Sequence, residues 1–333
     1  MKIGLTYNLK SDAKKMRFAR SLPDDAFEEF DSAETINALC RIITDLGHEC
    51  VKLGFGVEVV EKIFDNEIDF VFNIAEGYFG RSREAQMPAI FEMLRVPYSG
   101  PDPLAAALTL DKISAKRIAT EVGVNTPDYY VVTDPKEFNF AVLNFPVILK
   151  PAFEGSSKGI RLDSKVENIA DAKEKAFWLK ENYPRSPIVI EKFITGKEIT
   201  VGVIGNHFPQ ILGAMEISPR TMKLSDFVYS LEVKRNYTKL VDYICPAGIS
   251  DTTLKTIEYF VKTLYPALGC RDVSRFDFRI DDSGKPYFLE VNPLPGLNPV
   301  SGDMVIMARL LGIEYADLVR RILDAALERC NVN

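Results

Sequence analysis

Asp277, Glu290 and Asn292 fall within the stretch RFDFRIDDSGKPYFLEVN, two carboxylates and a carboxamide whose spacing could assemble a cation site. Ser283-Gly284 suits a two-residue hairpin loop, because glycine takes a positive φ without steric cost. Closure between Asp282 and Lys285 sets Asp277 against Glu290, Arg275 against Asn292 and Asp281 against Pro286. Period-two alternation then puts Arg275, Asp277, Glu290 and Asn292 on one face, and Phe276, Phe278, Leu289 and Val291 on the other. Carboxylates directly opposite each other destabilise a sheet by roughly 0.2–1 kcal/mol, and a divalent cation reverses that sign. Such oxygen ligands suit Mg²⁺, which takes one or two carboxylates together with substrate phosphates. On this basis neutralising Glu290 should leave the ligand-free protein about as stable as before. By itself the hairpin fits equally a solvated surface on which Arg275, Arg279 and Lys285 balance the acids.

Two further stretches carry chemistry only in company. KPAFEGSSKG follows an apolar strand and places Lys150 beside a loop of glycines and serines, whose amides and hydroxyls can face a phosphate. It is not a Walker A sequence, and a Gly/Ser loop is also an ordinary turn. In IEKFITGKEITV, Glu191 and Glu198 flank the apolar pair Phe193-Ile194, an arrangement suited to an adenine and a ribose or to a charged edge strand. Lys112 sits in a predicted helix and taken alone is a solvated lysine.

The elements that must position these residues are legible along the chain. KIGLTYN, ECVKLG and DFVFNIAE read as strands alternating with the helices SAETINALCRIITDLG and REAQMPAIFEML. The first helix takes Asp31 as N-cap and Glu34 at the capping-box position. This is an open parallel α/β layer, which binds ligands at strand C-terminal ends. The polar stretch from Leu9 to Phe30 is irregular and suits a flap. One long helix, LAAALTLDKISAKRIATEVG, leads into a small α+β unit of DYYVVT, FPVILKP, a helix and PIVIEKFI. The strands EITVGVIG and FPQILGAMEI, a polar-aromatic loop, a helix, the hairpin and two amphipathic helices complete the chain. The expected organisation is α/β and α+β multidomain, with segments 1–108, 109–195 and 196–333.

Composition sets the outer limits. A chain of 333 residues with 47% hydrophobic and 26% charged residues is an ordinary globular protein of two or three domains. A net charge of −6 gives no general attraction to nucleic acid or an anionic membrane, so any anion site is built locally. The N-terminus lacks a signal-peptide pattern and no segment is long enough to span a bilayer, so the expected location is the cytoplasm. The five scattered cysteines read as reduced thiols, and two histidines leave little room for histidine-based catalysis.

Lys112, KPAFEGSSKG, EKFITGKE, SRFDFR and FLEVNPLPG occur in the order and spacing of an ATP-grasp enzyme. The chain resembles the D-alanine–D-alanine ligase branch of that family over nearly its whole length, less closely before Tyr98. The resemblance implies an ATP-grasp fold preceded by an open α/β domain, and ATP- and Mg²⁺-dependent joining of a carboxylate to an amine through an acyl phosphate. D-alanine and a place in peptidoglycan synthesis are the first expectation. The resemblance also implies small-molecule amino-acid partners and a possible homodimer. Lys112 and Lys150 are implied to contact the ATP phosphates. Glu191, Phe193, Ile194 and Leu289 are implied to hold the adenine end, and Glu198 the ribose. Asp277, Glu290 and Asn292 are implied to bind two Mg²⁺, with Mn²⁺ as a substitute. Arg275 is implied to stabilise the reacting centre, Ser156 to orient the first substrate, and Lys234, in the flap SDFVYSLEVKRNY, to reach the γ-phosphate. Gly296 and Ser301, in PGLNPVSG, are implied to bind the acceptor.

Departures cluster in the substrate half. The family's Gly-Gly turn is missing from TYNLKSDA, and its Ser-x-Glu-Arg-Glu start appears as EEFDSAET, where Glu34, or else Glu29, is the candidate for the first amine. The His-Gly-x-x-Gly-Glu-Asp-Gly stretch appears as EGYFGRSR, and the flap tyrosine is Arg235. Two alternatives therefore stand beside D-alanine ligation: the same chemistry on another amino acid or small carboxylate, and a non-catalytic nucleotide-binding module.

Overall fold

The computed structural model describes residues 1–17 and 22–332 and arranges them around three sheets. In the first, β1 (Lys2–Thr6), β2 (Glu49–Gly54) and β3 (Phe70–Asn73) run parallel in the order β2-β1-β3. The chain leaves β1 to one side and returns on the other. The switch point therefore lies at the C-terminal end of β1, where open α/β sheets leave a crevice for ligands. β4 (Tyr129–Val132), β5 (Val147–Pro151), β6 (Lys165–Val166) and β7 (Ile188–Lys192) form a second sheet, antiparallel, in the order β4-β7-β5-β6. β8 (Lys197–Ile204), β9 (Gln210–Pro219), β10 (Val241–Ile244), β11 (Val273–Ile280) and β12 (Pro286–Asn292) form the third, ordered β10-β9-β8-β11-β12.

Two helices pack across this linear order. Helix Lys112–Glu121 precedes the second sheet but sends Ala115 and Ala119 into the core of the third, beside Ile199, Phe276 and Phe288. Helix Tyr315–Cys330, at the end of the chain, buries Leu318, Val319 and Ile322 with Ile3, Leu5 and Phe70 of the first layer. Buried Asp272 ties the join: it accepts from the Gly100 amide at 2.8 Å and the Arg329 guanidinium at 2.9 Å. Arg329 also donates to the Tyr98 carbonyl at 2.7 Å.

Several local expectations are revised. The single helix expected before the second sheet is two, Pro103–Leu110 and Lys112–Glu121. Asp111 breaks it with an extended backbone (φ −82°, ψ 97°), and its carboxylate caps the second helix by accepting from the amides of Ile113 and Ser114. Lys112 thereby occupies a first turn instead of a helix middle. Helix Ala33–Asp45 is capped by Ser32, not Asp31; the Ser32 hydroxyl accepts from the Thr35 amide at 3.2 Å. Helix Glu58–Asp65 was not foreseen, and its N-cap, Val57, supplies no side-chain start signal. Cys40 and Cys50, expected as free thiols, form a disulfide, because packing of the first long helix on β2 brings their Cα atoms within 5.5 Å. The Leu9–Phe30 stretch is partly ordered: Asp25 is fully buried and accepts from the Tyr183 hydroxyl at 2.6 Å and the Gly159 amide at 2.9 Å. Residues 18–21 of that stretch lie outside the described residues. Among the described residues no helix is long and apolar enough to cross a membrane.

Asp272→Ala should lower the unfolding free energy by about 2–4 kcal/mol, because it leaves the Arg329 guanidinium and a buried amide without their acceptor. Urea denaturation would measure it, and an unchanged midpoint would contradict the tie.

Candidate active site

β11 and β12 pair with Asp277 opposite Glu290 and Arg275 opposite Asn292, as the hairpin spacing predicts. Beyond Asp277 the register slips by one residue, so Phe278 faces Phe288 and Ile280, not Asp281, faces Pro286. This bulge corrects the simple alternation. Phe288, fully buried, takes the core position beside Phe276 and Phe278, while Leu289 turns toward a cavity on the opposite face. The connecting loop is organised by the Asp281 carboxylate, which accepts from the amides of Ser283 at 2.9 Å and Lys285 at 3.0 Å.

The facing carboxylates do not confront each other bare. Lys112 Nζ lies 2.9 Å from Glu290. Asp277 accepts from Arg275 Nη2 at 2.9 Å, from the Thr200 hydroxyl at 2.6 Å and from the Asn292 amide at 3.1 Å. Burial raises the Glu290 pKa, but Lys112 and Lys150 outweigh it and hold the carboxyl well below the usual carboxylate range. Arg275 is fixed from its other edge by Asp303, at 3.0 Å, the first residue of helix Asp303–Leu310.

Between the second and third sheets lies a narrow cavity of about 80 Å³. Lys150, Glu191, Phe193, Ile194, Glu198 and Leu289, all expected at a nucleotide, line it. Glu191, 2% exposed, is held by Lys150 at 2.6 Å and by Lys116 at 2.8 Å. Lys116 escaped the sequence analysis. Its spacing of four from Lys112, on one face of one helix, was the available signal. Burial brings the Lys116 ammonium down to about 8 even with Glu191 beside it. Arg279 was also missed: its guanidinium lies 4.6 Å from the centre of the Phe193 ring and donates to the carbonyls of Gly196 and Phe227. Burial raises Glu198 to about 7.

A second cavity, about 360 Å³, shares Tyr229, Lys234, Arg275, Glu290 and Asp303 with the first. Lys112, Ser156, Asn292, Gly296 and Ser301 also line it, so the structure gathers both halves of the expected set around one junction. Glu34 is the exception. With the helix cap at Ser32 it lies in the first helical turn, exposed, and lines neither cavity. Glu29, its alternative, does line the larger cavity, but it accepts from Arg83 at 2.8 Å, Lys158 at 2.7 Å and the Gly155 amide at 2.8 Å. Burial raises Glu29, yet Arg83 and Lys158 prevail and bring it to about 2.

The loop and flap that roof the junction are locked together. Ser156 and Ser157 both hold left-handed backbones, with φ of 48° and 59°, a conformation costly for residues other than glycine and concentrated at functional sites. The Ser157 hydroxyl donates to the Tyr229 carbonyl at 2.9 Å, and the Tyr229 hydroxyl meets Tyr243 at 2.7 Å and Asp303 at 3.3 Å. Phe227, Val228, Leu231 and Val233 of the flap are buried, and Lys234 reaches both cavities. Arg235 donates to Glu28 at 2.6 Å and to Asp24 at 3.0 Å, fastening the flap to the segment that follows β1.

Residues 118–324 match the family described as D-ala D-ala ligase C-terminus. The chain is 31% identical over 313 residues to the D-alanine–D-alanine ligase of Pelotomaculum thermopropionicum, covering 90% of this chain and 93% of that one. Against the enzyme of the same name from Carboxydothermus hydrogenoformans it is 33% identical over 308 residues, covering 89% and 94%. The fold matches a crystal structure of D-alanine–D-alanine ligase from Bacillus anthracis complexed with ATP, with a TM-score of 0.75 at 22% identity over 99% of both chains. The antiparallel sheets thus enclose an ATP-grasp site, the parallel sheet stands before it, and the chain belongs to the D-alanine–D-alanine ligase family.

Proposed function

We infer that the protein is an ATP-dependent ligase that joins two amino acids through an acyl phosphate, with D-alanyl-D-alanine for peptidoglycan as the first product to test and the cytoplasm as its place of work. One observation carries this reading: a slot lined by Lys150, Glu191, Phe193, Ile194 and Glu198 and a polar cavity lined by Ser156, Gly296 and Ser301 meet at Arg275, Lys234 and Glu290. In such a reaction the first carboxylate attacks the γ-phosphorus of ATP, and an amine then displaces phosphate from the acyl phosphate. The work is positioning and charge stabilisation more than proton transfer.

The residues divide that work. Arg279 and Phe193 form a platform for the adenine, Glu198 faces the ribose, and Lys150 with Lys112 receives the phosphates. Arg275, clamped by Asp277 and Asp303, holds a positive charge where the tetrahedral oxygen develops. Ser156 orients the first substrate, while Gly296 and Ser301 hold the second. The flap, docked through Arg235, keeps water from the acyl phosphate. Asp277, Glu290 and Asn292 present hard oxygen donors on one face, and the cations of Lys112 and Arg275 already lie against the two carboxylates, so the set fits Mg²⁺ or Mn²⁺. Bound there, the metal would neutralise phosphate charge.

Incubation with ATP, Mg²⁺ and D-alanine should release phosphate and yield a dipeptide of the mass of D-alanyl-D-alanine. No phosphate release with any amino acid would overturn the ligase reading.

Glu290→Gln should lower kcat by roughly 10²–10³-fold, the scale on which one preorganised charge matters. Its effect on stability departs from the hairpin-based expectation. Lys112, 5% exposed, would lose its partner, so the ligand-free variant should be about 1–3 kcal/mol less stable. Because the folded pKa of Glu290 is depressed, its contribution is present above the unfolded carboxylate pKa and fades as pH falls toward the folded value. Thermal denaturation at neutral pH without nucleotide checks the sign, and a melting point equal to wild type would restore the repulsion picture.

A further inference from the structure

We propose that Asp303 is a positioning residue for the second half of the reaction, holding Arg275 in place for attack on the acyl phosphate through a carboxylate that the flap residue Tyr229 braces; the proposal rests on the ligase reading above. Asp303 opens helix Asp303–Leu310, directly after the turn that carries Gly296 and Ser301. Acidic residues are common in a first helical turn, where they complement the helix dipole from the surface. Asp303 departs from that pattern: it is 8% exposed and lines both cavities. The residue before it fixes its place. A side chain at Gly302 would collide with the carbonyl oxygens of Gly296 and Asn298, and the Gly302 amide donates to the Asn298 carbonyl at 3.1 Å. The Asp303 backbone is therefore set by the turn expected to hold the second substrate.

The Asp303 carboxylate gives one oxygen to each of two partners. Oδ2 accepts from Arg275 Nη1 at 3.0 Å, and Oδ1 accepts from the Tyr229 hydroxyl at 3.3 Å. Burial, and after it the Asp303 charge, raise the Tyr229 pKa well above its usual value, so the phenol keeps the proton it donates here. The Tyr243 hydroxyl, 2.7 Å away, then donates to Tyr229 in turn. Tyr229 is also where the flap meets the rest of the site. Its carbonyl accepts from the Ser157 hydroxyl at 2.9 Å, and the Lys234 ammonium lies 5.3 Å from the centre of its ring. Arg275 has a second grip in Asp277, but that carboxylate also accepts from Thr200 and Asn292. Of the two carboxylates, Asp303 is the one hydrogen-bonded to the flap.

The two half-reactions make different demands on these groups. Transfer of the γ-phosphoryl group leans on the lysines, Lys112, Lys150 and Lys234. In the step that follows, the acceptor nitrogen bonds to the acyl carbon and the carbonyl π pair moves onto oxygen. The carbonyl then re-forms as the carbon–oxygen bond to phosphate breaks, its electron pair leaving on phosphate, which takes the proton lost from nitrogen. The charge on the tetrahedral oxygen is what Arg275 meets, and a preorganised donor stabilises it only when its direction is already fixed. Weakening the Asp303 grip frees one edge of the guanidinium, so the second half-reaction slows more than the first.

The test uses ATP with heavy oxygen in its β,γ-bridge, Mg²⁺, and D-alanine or whichever amino acid releases phosphate fastest from the wild-type enzyme. Reversible transfer to the first carboxylate lets the β-phosphate of ADP rotate, so scrambling of the label reports the first half-reaction and dipeptide mass reports the second. Asp303→Asn should lower kcat for the dipeptide about tenfold with the KM for ATP within about twofold of wild type, and scrambling per dipeptide should rise about threefold or more. Tyr229→Phe, which removes only the hydroxyl, should move that ratio in the same direction. The double variant should be no worse than Asp303→Asn, because both substitutions act through one hydrogen bond. Scrambling and dipeptide formation that fall in parallel in Asp303→Asn overturn the proposal and leave the ligase reading standing, as do effects of the two substitutions that multiply. If Asp303→Asn does not fold, Tyr229→Phe decides by the same ratio, and a wild-type ratio there overturns the proposal. No phosphate release from the wild-type enzyme with any amino acid overturns the ligase reading and the proposal together.

Discussion

The site depends on one electrostatic arrangement: two carboxylates held face to face across a hairpin and kept apart by the protein's own cations. Lys112 neutralises Glu290, and Arg275 bridges Asp277 to Asp303. Such pairs are expensive to bury and valuable only when geometry is tightly fixed. The fixing comes from three directions. β11 and β12 set the carboxylates, the Asp111 cap turns Lys112 inward, and the N-terminus of helix Asp303–Leu310 supplies the second clamp on Arg275. A nucleotide therefore enters a site whose carboxylates already have cationic partners, where binding exchanges one set of charge partners for another.

How much of this was legible follows the nature of each signal. Strand pairing at Asp277 and Glu290 came from a two-residue period and a glycine, both local. The bulge at Leu289 did not, because it is imposed by the need of Phe288 to fill a core that other segments build. Glu191, Glu198 and Lys150 stood in recognisable order, yet Lys116 and Arg279 looked like ordinary surface charges until burial showed them paired. Glu34 was misjudged for a related reason. A helix start shifted by one residue, set by whether Ser32 or Asp31 caps, rotates every following side chain by about 100°. Neither the disulfide of Cys40 with Cys50 nor the ion pairs of Glu29 have any signature in sequence spacing, since each joins segments that meet only in three dimensions.

The two halves of the active site obey different rules. The nucleotide half is nearly saturated internally, each acid with its base, as suits a ligand of fixed chemistry. The substrate half combines satisfied pairs, such as Glu29 with Arg83 and Lys158, with buried acids such as Glu84 that lie close to one another. Arg235 belongs to the same half, and its reach to Asp24 and Glu28 ties the loop that bears Lys234 to the segment after β1.

The placement of helix Tyr315–Cys330 has a consequence for how the molecule is made. Its Leu318, Val319 and Ile322 complete the core beneath Ile3, Leu5 and Phe70, which are synthesised well before them. The N-terminal sheet therefore remains half-covered throughout translation. The parallel sheet thus waits for the far end of the chain to be covered, whereas the antiparallel sheets close within shorter spans of sequence.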